Sequence, residues 1–219
     1  MQPPPVKNNN QIISYLTLRT LIGALGILLP LLLIITNFIV NKTFAVENSI
    51  SDYYDNAAAG DVLVGVLFVL GFFLLSYKGY ERIDDIAASL GCVFALGIAL
   101  FPTTSHDKLT HTLHFIFAFF LFADFIFFSL YLFRKSDKYG IKTQQKKNRN
   151  KVYLICGIIM IFCVAAIAAC SFINAWAVAT NTYNLIFWFE TIALASFGFS
   201  WIVKGELLWK DAITGGDLG

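Results

Sequence analysis

Apolar residues in this chain come in long blocks rather than in strict alternation. Six blocks stand out, at about 18–40, 58–77, 84–101, 111–133, 152–173 and 184–204. Each is close to the ~20 residues that a helix needs to cross the hydrocarbon of a bilayer. Hydrocarbon offers peptide groups no water to bond, so each block should be helical. The pattern predicts an all-α polytopic transmembrane helix bundle with six spans. The membrane domain would cover residues 16–206, flanked by tails at 1–15 and 207–219. The first block is too long for a cleaved signal peptide, follows a polar Pro/Asn-rich lead and lacks a small-residue cleavage pattern. It reads as an uncleaved span, with an interfacial turn around Ile12–Leu16 before it.

Composition agrees with this pattern. Hydrophobic residues make up 58% and charged residues 14%, where soluble domains carry about a quarter charged. A net charge of +2 is too small to suggest nucleic acid, and the chain has neither a Gly-rich phosphate loop nor a paired CxxC. The basic residues fix a topology. Lys78 and Arg82 lie in one connection, eight Lys and Arg lie in 134–151, and Lys204 and Lys210 lie at the C-terminal end. The intervening connections hold Lys42, Lys108 and, in 174–183, none. The positive-inside rule then places both termini and the basic loops in the cytoplasm. The 134–151 loop could also attract anionic head groups, although orientation alone accounts for its charge. Trp176, Tyr183 and Trp188 toward the outer side, with Trp201 and Trp209 inward, fit interfacial belts.

All four cysteines fall inside the apolar blocks, which argues against a disulfide framework. Cys156, Cys163 and Cys170 recur every seven residues and so share one stripe of the fifth helix. With Ala165, Ala166, Ala168 and Ala169 nearby, that helix is expected to form a tight seam, through which the chain could also pair with a second copy.

Candidate chemistry gathers at the outer end. The three histidines, His106, His111 and His114, lie within nine residues that lead into the fourth block. With a cytoplasmic N-terminus, spans two, four and six all descend from the outer surface. At ~1.5 Å per residue, Asp61 lies in the first turn of span two, His114 one turn below His111, and Glu190 about two turns into span six. Ser51 and Asp52 lie in the loop above them. Ionisable groups inside spans usually face the bundle interior or a wet cavity. Glu190 stands among aromatic and aliphatic neighbours, so its carboxyl should neutralise or find a partner, and His114 is the natural one. The expectation is an outer-leaflet polar pocket of Asp61, His111, His114, Glu190, Ser51 and Asp52, binding membrane lipid or a small ligand.

Two other readings use the same residues. His111 and His114 with Asp61 or Glu190 could hold zinc with one position open for water, giving a metal-dependent hydrolase of lipids in which Ser51 or Asp52 assists. No other cofactor is expected, and no residue is assigned a catalytic role. Glu190, His114 and Asp124, the last about 20 Å below His111, could instead relay protons in a coupled transporter. Against that, no inverted repeat is visible and Pro30 is the sole mid-span proline. Each residue also has an ordinary role: Asp61 as a helix cap, His111 in the interface, His106 in solvent, and His114 with Glu190 as a pair locking helix four to helix six.

Some segments carry a resemblance: Ser49-Ile-Ser-Asp-Tyr-Tyr54, Gly60-Asp-Val-Leu-Val-Gly65, Phe187-Trp-Phe-Glu190 and Ser200-Trp-Ile-Val-Lys-Gly205. Across about residues 15–206 the chain resembles a family of uncharacterised bacterial six-pass integral membrane proteins, itself distantly similar to DRAM/FRAG-type membrane proteins. The resemblance implies a protein of the bacterial cytoplasmic membrane, one that could handle lipid. The seven-helix alkaline ceramidases and adiponectin-type receptors are a fainter likeness. They spread their histidines over two helices, whereas here all three share one segment with HxxH spacing.

Overall fold

The structure is a computed structural model that describes residues 14–79, 81–103, 107–135, 143–173 and 177–209. Seven helices make up the described chain: α1 (Tyr15–Asn41), α2 (Ala57–Ser76), α3 (Arg82–Leu100), α4 (Lys108–Phe127), α5 (Gln144–Phe172), α6 (Ala177–Tyr183) and α7 (Leu185–Lys204). A 3-10 turn at Ser51–Asp55 lies between α1 and α2, and a π-helical turn at Phe128–Leu132 continues α4. No strand occurs among the described residues. Starts are set by polar caps: Ser14, Asn56, Asp107 and Thr143 accept from the free amides of Thr17, Ala59, Thr110 and Lys146.

All but α6 are long and apolar enough to cross a membrane. Their outer faces carry Leu31, Ile39, Phe119 and Phe162, each at least half exposed. Water would penalise that much apolar surface; lipid does not. The protein is an integral membrane protein. The six long helices form a ring, each packed on the next, and α7 closes it by contacting both α5 and α1. Arg19 at the start of α1 donates to the carbonyl of Lys204 at the end of α7, 3.4 Å away, so both chain ends of the bundle lie on one side.

The α1–α7 seam is set by glycine. A Cβ on Gly23 would lie 2.4 Å from the Gly198 carbonyl oxygen, and one on Gly198 would lie 2.3 Å from that of Gly23. Inside the ring, Phe125 of α4 stacks on Phe197 of α7 with centroids 3.6 Å apart. Trp201 is fully buried against Tyr77, Phe128 and Phe133, so it belongs to the core and not to an interfacial belt.

One sequence expectation changes. Residues 144–151 are not loop but the first two turns of α5. Lys146 Nζ there reaches the carbonyls of Phe133 and Lys135. The stripe of Cys156, Cys163 and Cys170 is buried inside the chain, on a helix whose broadest contact is α7. Its three thiols thus face neighbours within the bundle.

Candidate functional site

The chain after α1 does not hang free over the end of the bundle; it is fastened at many points. Lys42 ends α1 in the left-handed region (φ 55), and the ring of Phe44 folds back on Phe38 at 3.9 Å. Asn37, buried one turn from the end of α1, then acts as a hub. Its amide donates to the Ala45 carbonyl at 3.0 Å, and its oxygen accepts from Asn41 at 2.8 Å and Asn56 at 2.6 Å. Asn184, in the left-handed region with φ 50, donates to the Val46 carbonyl at 2.8 Å, and the Phe187 amide donates to the Asn48 carbonyl at 2.9 Å.

The next four residues carry the candidate site. Ser49 and Asp52 close a reciprocal box: each side chain accepts from the other's backbone amide at 3.1 Å. The Glu190 carboxylate accepts from the Ile50 amide at 2.7 Å. His114, 1% exposed, places Nδ1 2.7 Å from the Phe101 carbonyl and Nε2 2.9 Å from Ser51 Oγ. A carbonyl can only accept, so Nδ1 carries the proton and Nε2 accepts from the Ser51 hydroxyl. Tyr54 completes the clamp, donating to the Ile98 carbonyl at 2.6 Å with its ring edge-on to His114. Burial pushes its phenol well above the usual range.

Four of the six expected residues thus meet here: Ser51, Asp52, His114 and Glu190. His114 and Glu190 do not pair with each other. They hold neighbouring residues of one loop, and two backbone groups (the Phe101 carbonyl and the Ile50 amide) satisfy them. Asp61 is exposed on α2, and Asn56 supplies the cap expected of it. His111 is exposed too, its ring edge-on to Phe115 at 4.9 Å. Among the described residues no group of three or more His, Cys, Asp and Glu is placed to hold a metal ion. The expected zinc donors His111, His114, Asp61 and Glu190 are not brought together. His106 lies outside the described residues.

Sequence reasoning missed Asn37, Tyr54 and Asn184. For Asn37 the available signal was an amide inside an apolar run, where an unpaired polar group is costly.

Beside the fastened loop lies an open cleft of about 530 Å³, lined by Val40 and Asn41 of α1, Glu47, Asp52, Asp55 and Asn56 of the loop, and Ala57 and Ala58 of α2. Burial, with the negative charges of Asp52 and Asp55, raises the Glu47 carboxyl above its usual range. Comparison with protein-family models, curated proteins and solved structures returns no match.

Proposed function

We propose that this integral membrane protein is a binding protein whose outer cleft takes a small organic cation, either a soluble amine or the ammonium head group of a lipid. The carrying observation is a cavity of about 530 Å³ that joins three carboxylates to an apolar wall of Val40, Ala57 and Ala58. Burial first, and then the charges of Asp52 and Asp55, raise the Glu47 carboxyl. A cation among the three carboxylates relieves the repulsion between them, and the apolar wall suits methylated nitrogen. The positive-inside rule supports the orientation, with the end bearing Arg19, Lys146 and Lys204 in the cytoplasm and the cleft outside.

The test is calorimetric titration of the purified protein with choline, and with phosphatidylcholine against phosphatidylglycerol in mixed micelles. Choline binding alone identifies a soluble ligand; preference for phosphatidylcholine identifies a lipid. Glu47→Gln and Asp55→Asn should each weaken binding by about fivefold, a loss of ~1 kcal/mol. Binding should tighten as pH rises through the elevated Glu47 titration, because the ionised carboxylate attracts the cation. If neither probe binds at any pH, the reading fails.

A second reading rests on the Ser51–His114 contact. A hydroxyl donating to a neutral imidazole, itself oriented through its other nitrogen, is the arrangement of a nucleophile and its base. Ser51 Oγ would attack an ester carbonyl while His114 Nε2 takes its proton and returns it to the leaving alcohol; water then releases the acid. A fluorophosphonate should label the native protein and leave Ser51→Ala unlabelled. Equal labelling of the two, or none of the native protein, excludes this reading.

A further inference from the structure

The seam between α3 and α4 holds a carboxyl without a partner. Asp124 is 9% exposed, and its Oδ2 is buried with no hydrogen bond. A Cβ on Gly91 of α3 would lie 2.7 Å from that oxygen and 3.1 Å from Leu74 Cδ1 of α2. The absent side chain of Gly91 is thus the notch that receives the carboxyl. No charge answers it from the surrounding helices. Asp61, the one titratable residue of α2, is exposed. Neither Asp84 and Cys92 of α3, nor Cys156 and Cys163 of α5, nor Glu190 and Lys204 of α7 acts on Asp124, and neither does His114 of its own helix.

A buried carboxylate without a donor is costly, and inside a bilayer more so, so a group placed like this carries a proton instead of a charge. Ionised, Oδ2 would face only the Cα hydrogen of Gly91, a far weaker donor than an N–H. The charge would have to draw water into the seam, and that needs α3 and α4 to part. The two ends of the seam differ in what blocks such water. Toward Phe101, the Phe117 ring fills the space that a Gly97 side chain would take and stacks on Phe101 at 5.7 Å. Toward the other end, Asp84 lies seven residues before Gly91 on the same face of α3, ~10.5 Å along the axis. The buried residues between them are Ala87 and Ala88 alone. The Glu81 amide donates to Asp84, and the Glu81 side chain is 65% exposed. Helix α4 also loosens just beyond Asp124: the Phe128 amide is shared between the Asp124 and Phe125 carbonyls, and the π turn Phe128–Leu132 follows. Helices bend at such turns, which are frequent at functional sites.

We propose that Asp124 is a proton-binding site, reached from the Glu81–Asp84 end of the seam, and that losing the proton parts α3 from α4 at Gly91. The proton passes to water entering beside Ala87 and Ala88, and the electron pair of the broken O–H bond stays on the carboxylate. Rebinding a proton expels that water and closes the seam. His114 and Glu190 take no part, since both are bonded to the loop after α1. The site is separate from the cleft and does not depend on it.

Infrared spectroscopy of the full protein in phosphatidylcholine vesicles tests the site. The native protein should show the carbonyl stretch of a protonated carboxyl, shifted in deuterium oxide and fading as pH rises. Asp124→Asn should lack that band, and Glu190→Gln should keep it. Hydrogen exchange tests the coupling. Corrected for the intrinsic effect of pH, amides around Gly91 and Asp124 should exchange at least tenfold faster once the band has faded. Asp124→Asn nearly matches the native shape and is neutral at every pH, so its seam should stay slow throughout. After a pH jump, Asp84→Asn should delay the fading at least tenfold, because it removes the carboxylate at the entrance. A band that persists in Asp124→Asn overturns the proposal. So does seam exchange in the native protein that follows the intrinsic pH dependence through the fading. Fading as fast in Asp84→Asn as in the native protein overturns the route.

Discussion

Gly198→Leu is expected to abolish the folded protein: the variant should fail to elute as a monodisperse monomer, whatever the detergent. A Cβ at this position would meet the Gly23 carbonyl at 2.3 Å and Ile27 Cγ1 at 2.7 Å. A flexible side chain could rotate away from such an intrusion, but the carbonyl is held in the α1 backbone. The two helices must therefore separate along their whole length, and with them goes the contact that closes the ring between α5 and α1. Membrane helices associate through close packing and not through hydrophobic exclusion, so nothing restores the loss. Even Gly198→Ala should cost about 3 kcal/mol, at the upper end of overpacking effects. Gly23→Ala should cost as much. The double variant should cost less than the two losses added, because the first separation already makes room for the second methyl. Gly65→Leu is the control: nothing lies within 4 Å of a Cβ there, so its melting should match that of the native protein. A Gly198→Ala protein within ~0.5 kcal/mol of native would show that the seam is looser than its geometry requires.

The contrast between this seam and the Ser51–His114 site explains what could be read from the sequence. Six spans were legible because the bilayer forces every apolar block into a helix, and their boundaries fall within about three residues except at α5. There the run of Lys and Arg from 146 to 151 has the composition of a loop, yet those residues extend the helix beyond the apolar zone, and Lys146 caps the carbonyls of Phe133 and Lys135. His114 and Glu190 both bond the Ser49–Asp52 loop, whereas Asp61 and His111 are exposed. Which neighbours a residue meets around a helix depends on which faces pack, and the rise per residue does not give that. The partners of His114 and Glu190 were missed for a different reason. Reasoning from residue types seeks side chains, whereas most side-chain hydrogen bonds go to backbone or water. The Phe101 carbonyl and the Ile50 amide leave no mark in the sequence.

Replacing His114 should loosen the loop between α1 and α2 as one unit. His114 joins α4 to both the Phe101 end of α3 and the Ser51 turn. His114→Ala leaves the Phe101 carbonyl without its donor and Ser51 Oγ without its acceptor, and it opens a void beside the Tyr54 ring. An unmet buried polar group costs ~1–3 kcal/mol and a lost ring adds a cavity term, so about 3 kcal/mol of stability should disappear. The consequence should also be local. Amides of Ile50 and Asn56, bonded to Glu190 and to the Tyr53 carbonyl, should exchange with solvent at least a hundredfold faster, while those of α7 below Leu194 slow or hold. Ser51→Ala removes one bond and no packing, and should cost only about 1 kcal/mol. That difference separates a clamp from a catalytic dyad: a clamp makes the histidine variant far less stable than the serine variant, whereas a dyad makes both equally inactive with little effect on stability. Glu190→Gln keeps an acceptor for the Ile50 amide and should leave loop exchange near native, while Glu190→Leu should release it. If His114→Ala and Glu190→Leu both retain native exchange at Ile50, the loop is held by Asn37 and Asn184 alone, and the histidine belongs to chemistry instead of architecture.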